Sequence, residues 1–181
     1  PGRPAAAGRP GSAGSPGRSR PRSAGPPGRA HGAAQGLREN ERFLRAGGRG
    51  MVGVHASFTC TDETLEGAAA LAESMNTGVH IHVAEGLDDK DAGARLQDLA
   101  NEKWLLIHAV HLDRDLSGTI VHNSRSNMNN SVGYANPVRF TNDVALGTDG
   151  IGADMLEEAR LAFVRLRESD VTQNPDTVWK W

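Results

Sequence analysis

Five short apolar runs in this chain end on, or just before, residues able to hold a metal or move a proton: His55, His82 with Glu85 three residues on, His108, His122 and Asp149. Imidazoles and carboxylates together make donor sets for zinc or a related divalent ion, and they also serve as acid and base groups. Such an ion lowers the pKa of water until hydroxide exists near neutral pH. Taken singly, each residue has a blander reading. A histidine in an apolar strand is a ligand in roughly one case in five. The aspartate of "VALGTDG" would by itself be a turn or helix-cap residue about two times in three. Five strand ends in phase with the same chemistry are much harder to obtain by chance. His80 and His111 remain core, supporting or surface residues on this reading.

The runs that must position these groups alternate with helical segments. "MVGVHASF", "VHIHVAE", "WLLIHAV", "GTIVHNS" and "VALGTDG" read as strands. In "VHIHVAE" the period of two puts His80 and His82 on one face, opposite Val79, Ile81 and Val83. "LRENERFLRAG", "TDETLEGAAALAESMNTG", "DDKDAGARLQDLANEK" and "ADMLEEARLAFVRLRES" read as helices, the second with Thr or Asp at its N-cap and a stop at Gly78. Strand and helix in alternation predict parallel βα units, and parallel strands bring all their C-terminal ends to one rim. One connection departs from this pattern. Only "HLDRDLSG" separates the third and fourth strands, where a parallel crossover usually takes a dozen residues or more. Either that crossover is a bare loop or a helix is missing.

Composition bounds the rest. With 181 residues the chain suffices for one domain and is too short for a full (β/α)8 barrel of about 250. The net charge of −2 is unevenly spread. Residues 1–36 hold six arginines, seven of the nine prolines, no acid and no large apolar side chain. Such a segment is expected to be a disordered low-complexity tail. Its arginines suit a polyanion, but no aromatic is interleaved to stack on bases, so nucleic acid is not the expected partner. Its Pro-Gly-Arg-Ala-Ser content is also what a GC-rich coding strand yields out of frame, and the chain opens on Pro1. Cys60 is the single cysteine, which excludes an internal disulfide and fits a reducing compartment. No apolar run nears the roughly 18 residues of a membrane span, and the expected location is cytoplasmic.

The strings "VHIHVAE", "LLIHAVHL", "VHNSRSNMNNSVGY" and "VALGTDGIGADMLEEARLAF" resemble the amidohydrolase superfamily. Within it they resemble the aminohydrolase branch of chlorohydrolases, guanine deaminases and adenosine-type deaminases. "GVHASFTCTDETLE" and "SNMNNSVGYANP" are most similar to aminohydrolases associated with selenium and purine metabolism. The resemblance covers residues 37–181, and it implies an α/β fold: a partial (β/α)8 barrel holding about strands four to eight. It also implies metal-dependent hydrolysis of a non-peptide C–N bond, usually at an amino-bearing ring carbon of a small nitrogen heterocycle. By motif, His82 is then a metal ligand, and Asp149 is both a ligand and the acceptor of the water proton. Glu85 passes a proton to the ring nitrogen and His108 steadies the attacking hydroxide. His55 and Asn127 contact the substrate. Zinc is the expected ion ahead of iron, since His and Asp ligands serve both.

The family's first strand carries a His-x-His pair that supplies two more ligands. The only His-x-His here, at 80–82, belongs to a later strand, so those two ligands are absent from this chain. Five strands do not close an eight-stranded barrel. The expectation is a truncated portion of an aminohydrolase that is inactive alone, from a protein compatible with homo-oligomerisation. The competing expectation is a non-catalytic half-barrel that needs a partner chain.

Overall fold

The computed structural model describes residues 27–181. In chain order the elements are α1 (Pro27–Arg45), β1 (Val52–Ala56), α2 (Asp62–Ser74), β2 (Val79–Val83), α3 (Ala92–Leu96), β3 (Leu105–His108), β4 (Thr119–His122), α4 (Ser124–Asn129), β5 (Val144–Leu146), α5 (Met155–Ser169) and α6 (Pro175–Val178). The five strands form one sheet in the order β1-β2-β3-β4-β5, and every neighbouring pair is parallel. This is the α/β arrangement expected, a partial barrel. Among the described residues no helix is long and apolar enough to cross a membrane.

Alternation builds the sheet. Val52, Val54, Ala56, Val79, Ile81 and Val83 are buried toward the helices, while Gly53, His55, His80 and His82 face the uncovered side. A parallel sheet is ordinarily covered on both faces. Here one face is packed by helices and the other is lined by imidazoles. Helix α2 shows why the covered face forms. Thr61 caps it by accepting from the Thr64 N–H, Asp62 and Glu63 lie in its first turn, and Leu65, Ala68 and Ala72 bury one stripe. They join Leu96, Trp104, Leu106 and Ile120 in the main core, where each fully buried aliphatic side chain contributes about 1.5–3 kcal/mol. After α2, Asn76 turns left-handed at φ 50 and the chain enters β2 at Gly78, where a side chain would collide with the Lys103 carbonyl.

The short crossover between β3 and β4 is a bare loop. Leu112 and Leu116 occupy the place a helix would take, and both are buried. The Arg139 guanidinium donates to the Leu112 carbonyl at 2.8 Å and lies 4.0 Å from the Phe140 ring centre. The Asn142 amide donates to the Leu116 and Gly118 carbonyls at 2.6 and 2.7 Å. Side chains thus satisfy the loop backbone that no helix serves.

Three expectations need correction. Helix α1 begins at Pro27, so the helix expected from Leu37 starts earlier in the chain. Ala33 and Ala34 are good helix formers in a stretch without large apolar residues. The remainder of the expected tail, residues 1–26, lies outside the described residues. The helix expected across "DDKDAGARLQDLANEK" shrinks to α3 because Asp89 turns inward, buried, to accept from the Ala84 N–H and the Ser57 hydroxyl. Finally, Ser124–Asn129, not among the segments that read as helical, forms α4.

Candidate metal centre

The strand ends Ala56, Val83, His108, His122 and Leu146 form one rim. His82 points to the uncovered face of β2, half-buried. Its Nδ1–H donates to the His55 carbonyl, which leaves Nε2 with a free lone pair. A register irregularity in β1 between Val54 and Ala56 puts the His55 backbone within reach.

His108 pairs with Val83 in register, and regular pleating would send it toward the helices. Instead its φ is 71, and Ala109 follows at 51. A left-handed backbone at a non-glycine residue is costly and persists where the surroundings fix it. Here the ring is buried and Nδ1 lies 2.7 Å from Asn127 Oδ1. The Asn123 amide nitrogen also approaches that Nδ1, at 3.4 Å, but the shorter contact sets the tautomer: Nδ1–H donates to Asn127. Nε2 is therefore bare. It faces Glu85 Oε2 at 3.7 Å and Asp149 Oδ2 at 3.8 Å, and the ring stacks on His82 with centres 5.3 Å apart.

Asp149 follows β5 with φ 52. Gly147 lets the chain pass there, since a side chain would run into Asn123 Oδ1 and Val121. Asp149 Oδ2 accepts from the Ser126 hydroxyl at 2.5 Å, and Oδ1 accepts from the Gly150 N–H at 2.8 Å. The Ser126 hydrogen bond is the largest effect and holds its carboxyl below the usual range against burial, the next largest, with the Gly150 N–H and the neighbouring His108 and His82 adding to the lowering. It is a carboxylate at neutral pH.

Donor atoms of His82, His108 and Asp149 lie within 4.8 Å of one another. Two imidazole nitrogens and a carboxylate oxygen suit zinc or iron. Each donor is backed by a hydrogen-bond partner: the His55 carbonyl, the Asn127 amide and the Ser126 hydroxyl. The residues present therefore fit a divalent ion, with His108 joining the two ligands expected from sequence. Glu85 stands beside them, its Oε1 accepting from the Asn130 amide at 3.3 Å.

The other sequence candidates are distributed as follows. His55 is exposed at the edge of the rim, its ring 5.6 Å from that of His82 and its Nδ1 3.2 Å from the Thr59 hydroxyl. Asn127 is buried beneath His108, on the side away from the two carboxylates. His80 lies one pleat below His82. Its pKa is lowered by burial, then by His82. His122 stands apart, buried, with neither ring nitrogen hydrogen-bonded. Sequence reading missed Ser126 and Asn130, whose spacing of four becomes meaningful only once α4 is known to be helical. It also missed Glu158, fully buried, which pairs with Arg125 at 2.6 Å and so clamps α5 to α4.

The fold and the cluster at its strand ends define a parallel α/β protein with a His-His-Asp group, at the C-terminal rim of its sheet, whose donor atoms could hold a divalent ion. The chain belongs to the amidohydrolase family, whose model matches residues 12–179. That match starts earlier than residue 37, where the motif resemblance begins. The 5-methylthioadenosine/S-adenosylhomocysteine deaminase of Pelotomaculum thermopropionicum is 36% identical over 163 residues, covering 72% of this chain and 38% of the relative. The protein of that name from Syntrophomonas wolfei is 33% identical over 144 residues, 64% of this chain and 33% of the relative. A 5'-deoxyadenosine deaminase of Methanococcus maripaludis is 29% identical over 155 residues, 71% and 36% respectively. The chain spans about a third of the length of these curated relatives.

Proposed function

We propose that this chain supplies the acid/base rim of a metal-dependent hydrolytic deaminase acting on an amino-substituted nitrogen heterocycle of the nucleoside type. The observation that carries the reading is the convergence of His82, His108 and Asp149 with the Glu85 carboxylate at 3.7 Å from His108. The names of the relatives supply the substrate class. His82, His108 and Asp149 would hold the ion, zinc ahead of iron. When bound, it makes water acidic enough to give hydroxide near neutral pH. Asp149, ionised and fixed by Ser126, accepts the proton of the water. The water oxygen bonds to the amino-bearing ring carbon as Glu85 delivers a proton to the ring nitrogen; Asp149 passes on the proton it took from water to the exocyclic amine, whose C–N bond then breaks to release ammonia. His108 Nε2, bare because Nδ1–H is engaged, completes the donor set and so stands beside the attacking oxygen. His55 meets the substrate at the rim.

A second reading, a half-barrel that needs a partner chain, rests on the sheet itself. Among the described residues β1 and β5 each pair on one side only. With three donors and two open edges, the isolated chain is expected to bind zinc without turning over 5'-deoxyadenosine. Ammonia release should appear only with further strands supplied. Metal content decides first: one zinc per chain, lost in Asp149→Ala. A metal content unaffected by that substitution would overturn the assignment, and ammonia release by the chain alone would remove the need for a partner.

A further inference from the structure

The geometry points to helix α4 as a positioning device for the whole site. Ser126, Asn127 and Asn130 each hold one reacting group, delivered from three different strand ends. Ser126 donates to Asp149 Oδ2 at 2.5 Å, after β5. Asn127 accepts from His108 Nδ1 at 2.7 Å, at the end of β3. Asn130 donates to Glu85 Oε1 at 3.3 Å, after β2, and its amide also lies 3.4 Å from the Ser126 hydroxyl. These contacts close a ring with the two long ones from His108 Nε2 to Glu85 and Asp149. The inference rests on the deaminase reading for the roles of the three groups held, but not for the holding itself.

The energetics of α4 support a device and not a structural accident. "SRSNMN" is a poor helix, rich in residues whose side chains compete with the backbone for hydrogen bonds. Ser126 and Asn127 are also almost fully buried, where an unpartnered polar group is costly. The bonds to Asp149 and His108 offset part of that cost. Yet Asn127 Nδ2 still finds no partner, so packing alone does not explain an asparagine there. The helix is clamped from outside the site. Arg125 pairs with the buried Glu158 and donates to the Gly152 carbonyl, and His111 Nε2 donates to the Val132 carbonyl at 2.9 Å. A rigid six-residue helix thus sets, at once, the tautomer of His108, the direction of Asp149 and the direction of Glu85. Ser126, Asn127 and the capping Asn130 act through the groups they hold; they are positioning residues.

The test uses the 181-residue chain and two readouts that need no turnover. In the metal-free protein, ¹⁵N imidazole spectra should show His108 protonated on Nδ1 alone. Asn127→Ala should populate the other tautomer, and it and Ser126→Ala should weaken zinc binding by about 10–100-fold. Ser126→Thr, which keeps the hydroxyl, should restore affinity to within about threefold. Asn130→Ala, at an exposed position, should leave the His108 tautomer and zinc affinity unchanged. In the turning-over assembly it should lower kcat about tenfold at constant KM. A folded Asn127→Ala protein with the native tautomer, or a folded Ser126→Ala protein with native zinc affinity, overturns the inference. If Asn127→Ala does not fold, the Ser126→Ala and Ser126→Thr pair decides. Native spectra and affinities shifting as described without ammonia release from any assembly would sink the deaminase reading and leave α4's role standing.

Discussion

β3 and β4 lie side by side and each ends on a buried histidine, yet the two rings have opposite surroundings. His108 turns out of its strand on a left-handed backbone, gives Nδ1–H to Asn127 and presents Nε2 to two carboxylates. His122 stays within the ladder opposite Leu146, lies edge-on to Tyr134 and Trp181, and has no hydrogen bond on either nitrogen. Burial first, then the charges of His108 and Arg165, lower its pKa to about 4. A histidine at a strand end is therefore not yet a site residue. What separates these two is a backbone torsion and a neighbouring amide, and only the first ring is aimed at anything it could react with.

The largest effect should come from removing His108. Supporting partners of metal ligands are each worth about 10–100-fold in affinity, so His108→Asn is expected to cost more than about 100-fold in zinc binding, read by competition with a chromophoric chelator. His122→Phe should cost nothing measurable in that assay. Equal losses in the two variants would erase the contrast.

The next largest is a pH dependence of stability. In the unfolded chain the His122 ring takes up its proton near 6.5, and in the folded chain only near 4. Between those values the unfolded state holds the extra proton, so stability present above about pH 6.5 declines as pH falls toward 4. At about 1.4 kcal/mol per unit, up to about 3 kcal/mol is at stake. Urea unfolding from pH 7 to 4 should show this loss in the native chain and a shallower one in His122→Phe; parallel profiles would mean that His122 is not buried neutral. The smallest effect sharpens the same point. At pH 7 His122→Phe should change stability by no more than about 1 kcal/mol, because it removes two unpaired polar atoms while keeping a ring between Tyr134 and Trp181.

His82 was legible because the period of "VHIHV" assigns its face, and Asp149 because "VALGTDG" marks a strand stopping at a turn. The parallel α/β class followed from alternation alone. The support of the site was not legible. Ser126 and Asn130 share a face only if "SRSNMN" is helical, and its propensities argue against that; the helix exists because buried partners and the Arg125–Glu158 pair hold it. The flip of His108 was equally hidden, since period-two reasoning would have placed it on the covered face. His122 shows the converse, a residue whose type promised chemistry and whose packing withholds it. The length of α1 was underestimated because residues 27–36 carry alanines and no apolar stripe.

Each strand of the sheet pairs with the next one in the chain, so the fold can grow by addition at one edge as the strands are synthesised. His82 and His108 would come together early in that order. Asp149 arrives only with the last strand, and it brings the third donor. On the proposed donor set, an ion could be held by all three groups only once β5 has joined the sheet; before that, the two imidazoles and the Glu85 carboxylate are in place without Asp149.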